Sequence, residues 1–280
     1  MEIIRTVSEM KAAAAAFRAE GLSAGLVPTM GSLHEGHMSL VRKAVSENDR
    51  TVVSIFVNPI QFEAHEDFGS YPRDMAKDSE LCERASVDVV FNPSAREMYP
   101  DGFHSYVDMS VLTEGLCGAR RPNHFRGVCT VVSKLFNITY PRRAYFGQKD
   151  AQQLAVIKRM VLDLNMDVEV VGMPVIREAD GLAMSSRNAY LNDEERADAA
   201  YICKALSEAS RLFDEGERDI RRIERHIGEL LSKIPSIALE YAEIVDAKTM
   251  RPPDGDHGEI ICAVAARVGK TRLIDNVRLK

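Results

Sequence analysis

The stretch AGLVPTMGSLHEGH, residues 24–37, predicts a strand that runs through a glycine-bearing turn into a helix. Residues 24–30 are mostly apolar and have the length of a buried strand, and a helical pattern follows over residues 36–47. Gly31 and Gly36 lie at the junction. A strand, a turn and a helix in this order form the first unit of an α/β fold with a parallel sheet.

The same alternation continues through the first half of the chain. Near-continuous apolar strands that alternate with helices indicate a parallel sheet covered on both faces. We therefore expect a Rossmann-like doubly wound sheet over residues 1–175, with its ligand at the carboxyl ends of the strands. The further strands are predicted at residues 51–57, 87–91, 143–146 and 167–171, and the helices at residues 72–85, 127–139 and 150–163.

Past about residue 176 the pattern changes to two charged amphipathic helices followed by three strands. This order predicts a smaller C-terminal α+β domain over residues 176–280. A run of five alanines near the start predicts a surface helix, because alanine has the highest helix propensity. The second-domain helices are predicted at residues 193–214 and 219–231, and the strands at residues 238–245, 259–266 and 271–279.

Composition excludes several classes of protein. The net charge of -6 disfavours a nucleic-acid partner, because phosphate binding needs basic residues. The longest run without a charge or a histidine is 13 residues, too short for a membrane span of about 20. The five cysteines are scattered and odd in number, which disfavours a disulfide framework or a structural zinc site. We expect a cytoplasmic protein without a signal peptide.

His34 and His37 are the first candidate catalytic residues. They lie at the predicted strand–helix junction, where backbone N–H groups and the helix dipole favour a phosphate. Two imidazoles there can donate hydrogen bonds to oxygens that gain charge in a transition state. Metal binding and a purely structural role are the alternatives. The pattern His34-x-Gly36-His37 resembles the signature of the nucleotidyltransferase superfamily, which includes class I aminoacyl-tRNA synthetases.

The stretch FGQKD, residues 146–150, also follows a predicted strand and opens a helix. Lys149 is suited to act as a point charge for a phosphate chain, although a surface lysine is the alternative. Asp150 can accept hydrogen bonds from ribose hydroxyls or can cap the helix that follows.

Ser185, Ser186 and Arg187 lie in a predicted loop near the domain boundary. Two hydroxyls and a guanidinium fit a clamp on triphosphate oxygens, and a loop there can close over a nucleotide. The loop resembles the Lys-Met-Ser-Lys-Ser loop of the same superfamily, although such triplets also occur by chance. Gln61 and Gln153 can hold a hydroxy acid through an uncharged amide, although a single glutamine is more often a surface residue.

Together these stretches, with FVNPIQF at residues 56–62 and NHFRG at residues 123–127, resemble the pantoate–β-alanine ligase family over nearly the whole chain. The resemblance implies ATP-dependent amide formation between pantoate and β-alanine, through a pantoyl-adenylate intermediate. It also implies release of AMP and pyrophosphate, a requirement for Mg²⁺, and a homodimer.

The resemblance further implies roles for particular residues. His37 matches the proton donor, and His34, Lys149 and Arg187 complete the predicted catalytic set. Gln61 matches a contact to both pantoate and β-alanine, Gln153 matches a contact to pantoate, and Asp78 matches a position near the metal. The implied ATP site comprises Met30, Gly31, Ser32, Leu33, His34, Glu35, Gly36, His37, Gly147, Gln148, Lys149, Asp150, Ile176, Met184, Ser185, Ser186 and Arg187.

Three alternatives remain at this point. Another nucleotidyltransferase would transfer AMP to a different acceptor and make no amide. A tRNA synthetase fragment is disfavoured by the acidic charge balance and by the lack of an anticodon-binding region. A non-catalytic nucleotide-binding regulator would bind ATP without turning it over, and the set of His34, His37 and Lys149 disfavours it.

Overall fold

The structure, a computed structural model, describes residues 1–64, 66–254 and 258–279. The described residues form two compact units, and neither unit is a single continuous segment of the chain. The predicted division into residues 1–175 and 176–280 stays a prediction. The first unit comprises Met1–Met109, Arg121–Gln148 and Val156–Pro174, and the second comprises the described parts of Ser110–Arg120, Lys149–Ala155 and Val175–Lys280.

The first unit is built on a six-stranded sheet in which every neighbouring pair is parallel. Its strands are β1 Glu2–Ile4, β2 Ala24–Thr29, β3 Arg50–Ile55, β4 Val89–Phe91, β5 Arg143–Gly147 and β6 Glu169–Met173. Their order is β1-β4-β3-β2-β5-β6. After β2 the chain adds β3 and β4 on one side and then crosses to β5 and β6 on the other. This order confirms the predicted doubly wound sheet and places its switch point between β2 and β5, where such sheets bind ligands.

The helices that were predicted with bounds lie within three residues of those bounds, whereas the short helices α4 and α5 were not predicted. They are α1 Val7–Ala19, α2 Glu35–Glu47, α3 Met75–Arg84, α4 Ala95–Met98, α5 Leu116–Arg120, α6 His124–Thr139, α7 Ala151–Asp163, α8 Asp193–Asp214 and α9 Ile220–Ser232. Leu26 and Val27 of β2 are both fully buried. Because successive strand residues face opposite sides of a sheet, β2 is covered on both faces, as the apolar pattern predicted. Val27 belongs to the same apolar core as Val41 and Ala44 of α2.

The second unit contains a three-stranded antiparallel sheet in the order β7-β8-β9. Its strands are β7 Ile237–Asp246, β8 Ile260–Val268 and β9 Thr271–Leu279. Ile202 of α8 and Ile227 of α9 share an apolar core with Val264 of the central strand. This arrangement confirms the predicted smaller α+β part of the fold.

Three local predictions differ from the structure. The strand β1 was not predicted, because three residues are too short for an apolar pattern and its Ile3 is exposed. Helix α3 begins at Met75 rather than at residue 72, because the side chain of Asp74 accepts the N–H of Lys77 and caps the helix there. The alanine run lies in α1 but is not wholly on the surface, since Ala14 is buried. Within the described residues, no helix has the length and apolar character of a membrane span.

Candidate functional site

The loop between β2 and α2 lies at the switch point of the parallel sheet. His34 is the N-cap residue of α2, and its Nδ1 accepts the backbone N–H of Gly36 at 3.1 Å. His37 lies at the third helical position, and its Nδ1 accepts the backbone N–H of His34 at 3.3 Å. The two rings lie side by side with centroids 4.0 Å apart. The histidines therefore form a reciprocal capping box, a position that Ser or Thr and Glu usually fill.

These hydrogen bonds determine which nitrogen of each ring carries the proton. A nitrogen that accepts a backbone N–H cannot carry a proton, so the neutral His34 and His37 rings hold their proton on Nε2. The helix N-terminus also disfavours a positive charge on either ring. Both imidazoles are thereby prepared as neutral Nε2–H donors.

Asp78, from α3, anchors the same loop. Its Oδ2 accepts the N–H of Ser32 at 2.8 Å, and its Oδ1 accepts the N–H of Leu33 at 2.7 Å. Gly31 has a φ of +84°, and a Cβ there would lie 2.9 Å from Oδ2 of Asp78, so the close approach of loop and carboxylate requires glycine. Asp78 is 1% exposed. Burial raises its pKa, and the two N–H donors oppose that rise.

Four of the backbone amides at this junction are therefore already engaged within the protein. Ser32 and Leu33 donate to Asp78, and Gly36 and His34 donate to the imidazoles. The loop is held in shape by its own side chains.

Gln61 follows β3 at the same edge of the sheet, and a buried chain of hydrogen bonds sets the orientation of its amide. The hydroxyl of Tyr99 donates to Oδ1 of Asn58 at 2.7 Å. Nδ2 of Asn58 then donates to Oε1 of Gln61 at 3.0 Å and to the carbonyl of Gly127 at 3.1 Å. Nε2 of Gln61 contacts Sδ of Met30 at 3.3 Å. Gln61 and the β2–α2 loop are thus in direct contact.

Asn58 and Tyr99 are functional candidates that the sequence reasoning missed. Asn58 is 1% exposed, and burial raises the pKa of the Tyr99 hydroxyl, so that hydroxyl stays a donor. The available signal was the position of Asn58 directly after a buried strand, three residues before Gln61. Nothing in the sequence pattern pairs it with Tyr99.

A buried ion pair supports the backbone around Gln61. Arg121 binds Glu66 through Nε at 2.5 Å and through a second nitrogen at 2.7 Å, and both side chains are 13% exposed. The same guanidinium donates to the carbonyl of Gln61 at 3.4 Å, and His124 Nδ1 lies 3.0 Å from that carbonyl. Burial raises the pKa of Glu66, but the bond to Arg121 outweighs burial and holds it below its usual value.

The predicted residues after β5 are divided between the two units. Gly147 and Gln148 belong to the first unit and Lys149 and Asp150 to the second. Lys149 Nζ lies 3.8 Å from a carboxylate oxygen of Asp150. Asp150 ends a short 3-10 helix that leads directly into α7, and its helix-cap role stays a prediction.

Two adjacent glutamines of α7 differ in their surroundings. Gln153, predicted to contact substrate, is half-buried. Gln152 is buried and was missed by the sequence reasoning. It accepts the N–H of Cys117 and donates to the carbonyls of Leu112 and Gly115, so it fastens the segment around α5 to α7.

The loop of residues 184–187 lies in the second unit. Met184 donates its N–H to the carbonyl of Ile176 at 3.0 Å, which brings these two predicted residues together. The side chain of Ser185 accepts the N–H of Arg187 and opens a short 3-10 helix, Ser186–Tyr190. The predicted loop is therefore an ordered turn that leads directly toward α8.

The comparisons with known proteins agree with the motifs. The model of the pantoate–β-alanine ligase family matches residues 2–278. A pantothenate synthetase from Heliobacterium modesticaldum is 57% identical over 277 residues, which cover 99% of each chain. The chain belongs to the pantoate–β-alanine ligase family. This confirms the predicted resemblance and, with it, the prediction of a ligase that forms an amide bond.

Solved structures of the family share the fold. Pantothenate synthetase from Thermus thermophilus superposes with a TM-score of 0.93 at 44% identity, over 99% of each chain. Pantoate–β-alanine ligase from Francisella tularensis, in a structure complexed with beta-gamma ATP and β-alanine, matches with a TM-score of 0.82 at 33% identity, over 99% of this chain and 97% of that one.

Proposed function

We propose that the protein condenses pantoate with β-alanine, using ATP, to give pantothenate, AMP and pyrophosphate through a pantoyl adenylate. The observation that carries the proposal is a pair of imidazoles whose Nδ1 atoms accept backbone N–H groups, on an anchored loop at the switch point of the sheet. Membership of the pantoate–β-alanine ligase family supports the choice of substrates. The structure of the Francisella relative, which holds a form of ATP and β-alanine, supports ATP as a substrate.

In the first step, a carboxylate oxygen of pantoate attacks the α-phosphorus of ATP in line. A new P–O bond forms, the bond to the bridging oxygen breaks, and pyrophosphate leaves with the electron pair. Negative charge grows on the phosphoryl oxygens. We propose that Nε2–H of His37 and of His34 donates to these oxygens, which stabilises the transition state more than the ground state.

Lys149 and Arg187 supply positive charge in this proposal. Lys149 acts as a point charge on the phosphate chain, and the planar guanidinium of Arg187 binds phosphate oxygens in pairs. We propose the remaining predicted ATP contacts on the same basis. They are the residues of the β2–α2 loop, Gly147 to Asp150, Ile176, and Met184 to Ser186.

In the second step, the amine of β-alanine attacks the acyl carbon, the bond from that carbon to AMP breaks, and the amine gives up a proton. Gln61 and Gln153 hold pantoate in this proposal. Because Asn58 donates to Oε1 of Gln61, the amide of Gln61 presents its remaining N–H to a substrate oxygen. An uncharged donor leaves the pantoate carboxylate nucleophilic, whereas a tight pair with arginine would weaken it.

Magnesium enters the proposal as part of the substrate, Mg²⁺–ATP. Protein sites for Mg²⁺ in such enzymes usually combine one or two carboxylates with substrate phosphates and water. In the parts of the chain that the structure describes, no cluster of three His, Cys, Asp or Glu could hold a metal. Asp78 uses both oxygens on backbone amides. These residues do not form a magnesium cage, and the metal role of Asp78 stays a prediction that its contacts do not favour.

We also propose a cytoplasmic homodimer. The described cysteines are all free thiols, which supports a reducing compartment. Analytical ultracentrifugation tests the dimer: a mass twice the chain's 31.2 kDa supports it, and a mass equal to the chain's contradicts it.

The activity itself is tested by incubating the protein with ATP, Mg²⁺, pantoate and β-alanine. We expect AMP, pyrophosphate and pantothenate in equal amounts. Without β-alanine, one enzyme equivalent of pyrophosphate and a bound acyl adenylate are expected. Formation of ADP and orthophosphate would refute an adenylate. If pyrophosphate is released at the same rate when β-alanine is left out, and no pantothenate forms when it is present, the protein transfers AMP to another acceptor.

A further inference from the structure

A short turn precedes the loop of residues 184–187 in the second unit. Arg177 and Ala183 pair as an antiparallel bridge, and Glu178 donates its N–H to the carbonyl of Leu182 at 2.8 Å. The turn reverses at Gly181, whose φ of +94° is one that glycine adopts without strain. The two arms therefore deliver the chain to residue 184 in a defined direction.

Helix α8 begins directly after the loop. Asn192 caps it by accepting the N–H of Glu195, and Arg196 lies in its first turns. The guanidinium of Arg196 reaches back across the loop to the preceding turn. Nη2 donates to Glu178 Oε2 at 2.5 Å and to Asp180 Oδ1 at 3.0 Å. Nη1 donates to the other carboxylate oxygen of Asp180. Arg196 thus ties together the segments on either side of the loop.

The bridge also continues into the loop itself. The other carboxylate oxygen of Glu178 accepts Nδ2 of Asn188 at 2.6 Å. The same amide nitrogen donates to the carbonyl of Ala183 at 3.2 Å, and the backbone N–H of Asn188 donates to the carbonyl of Ser185 at 3.0 Å. A continuous path of hydrogen bonds therefore runs from Arg196 through Glu178 to the residues that flank Arg187.

We propose that Arg196 is a positioning residue that holds the 184–187 loop ready for the triphosphate. The proposal rests on the proposed function, which makes this loop part of the ATP site. Holding a loop in its bound shape removes the entropy cost of ordering it when the ligand arrives. Arg196 acts through Glu178 and Asn188 rather than by touching the substrate.

The bridge is partly exposed to solvent. The side chains of Arg196, Glu178 and Asp180 are 26%, 30% and 41% exposed. A single ion pair at such a position contributes little to stability, whereas a guanidinium that binds several carboxylate oxygens can hold a local segment in place. Because this bridge spans the candidate binding loop, we expect its effect on the order of that loop.

The same helix offers a matched control. Arg211 of α8 also joins two carboxylates, Glu208 and Glu215, and its side chain is 50% exposed. All three residues of this second bridge lie within α8 or at its end, so the bridge spans no loop. Arg211→Met therefore removes the same chemistry from the same helix without touching residues 176–190.

The first measurement does not depend on activity. Hydrogen exchange of peptides covering residues 183–190 is compared in the wild type, Arg196→Met and Arg211→Met. Faster exchange in Arg196→Met alone, with little change in the rest of the second unit, supports the bridge as the element that orders the loop. Equal exchange in all three proteins overturns it. This result stands even if the wild type makes no pantothenate, which would refute only the proposed function.

The second measurement uses steady-state kinetics. In Arg196→Met we expect the KM for ATP to rise about tenfold, the effect of losing one charged hydrogen bond that orders a binding loop. The KM for pantoate and the melting temperature should stay close to wild type. Arg196→Lys should recover part of the loss, since lysine keeps the charge but lacks the planar fork that binds Asp180 through two nitrogens. Equal rises in both KM values, or a large fall in melting temperature, would make Arg196 a general structural residue.

Discussion

Replacing His37 removes two interactions that the structure allows to be separated. Nδ1 accepts the N–H of His34 and closes the capping box of α2, whereas Nε2 carries the proton that we propose is donated to the phosphoryl group. His37→Ala loses both interactions. His37→Gln keeps a side-chain acceptor at a helix position where glutamine commonly closes a capping box, and it replaces the ring N–H with an amide N–H.

The two losses differ in size. A lost cap typically costs about 0.5–2 kcal/mol of stability. The bond lost here is long, at 3.3 Å and only partly buried, so the cost in His37→Ala should lie near 1 kcal/mol, at the lower part of that range. Loss of one donor to a developing oxyanion costs about 10²–10³ in rate, or roughly 3–4 kcal/mol. The catalytic effect therefore exceeds the structural one.

Rapid-quench measurement separates the steps of the reaction. Pyrophosphate release from ATP and pantoate reports the first step, and conversion of chemically supplied pantoyl adenylate with β-alanine reports the second. His37→Ala should lose the first step by about 10²–10³, and His37→Gln should lose less because its amide can donate in place of the ring. The second step should suffer less in both variants, because its charge develops on the carbonyl oxygen of the acyl group. Thermal unfolding should show a loss in His37→Ala that His37→Gln largely restores. The reasoning fails if both steps slow equally in His37→Ala, or if only the KM for ATP rises.

Three further predictions follow from the anchoring contacts. Asp78→Asn leaves one acceptor for two backbone N–H groups, so pyrophosphate release should slow about tenfold. The melting temperature should fall only a little, because the variant also removes a buried carboxylate whose pKa is raised. An unchanged rate of pyrophosphate release would contradict the anchoring role. Tyr99→Phe removes the donor to Oδ1 of Asn58, so the amide group of Asn58 can flip. The KM for pantoate should then rise roughly fivefold, while the KM for ATP stays unchanged. Steady-state kinetics in which the two KM values change together would contradict this role of Tyr99. Because the pKa of Glu66 is lowered by Arg121, its stabilisation is present above the unfolded value of about 4.3 and is lost as the pH falls through the lower folded value. The free energy of unfolding of Glu66→Gln should therefore lie below that of the wild type at pH 7, with a difference that shrinks as the pH falls below the unfolded value; a constant difference would be inconsistent with this origin.

The elements of the fold were largely predictable from local pattern. The apolar run before Met30 and the alternation of strands and helices depend on residues that are neighbours in the chain. Helix α8 and strand β9 have the predicted bounds, because each has a clear start and stop signal. Strand β1 has no such signal, since it is three residues long and gains its place only by pairing with β4.

The candidate site, like the fold, was predictable from the sequence only in part. The sequence pointed to His34 and His37 through a short motif, and to Gln61 through the family resemblance, but it expected backbone amides to bind the phosphate. The structure shows those amides engaged by Asp78, 46 residues from Ser32, and by the imidazoles themselves. The tautomer of each ring follows only from these contacts.

By itself, therefore, the sequence determined the type of fold and the family and pointed to candidate site residues, because periodicity, glycine turns and short motifs act over a few neighbouring residues. Only the tertiary structure decided which groups orient them. The order of the strands brings the loops after β2 and β3 to one edge of the sheet, and the bond from Tyr99 to Asn58 crosses 41 residues. The bridge from Arg196 to Glu178 closes only when α8 packs in its unit. Such contacts depend on the geometry of a hydrogen bond between distant segments, and no local pattern in the chain encodes that geometry.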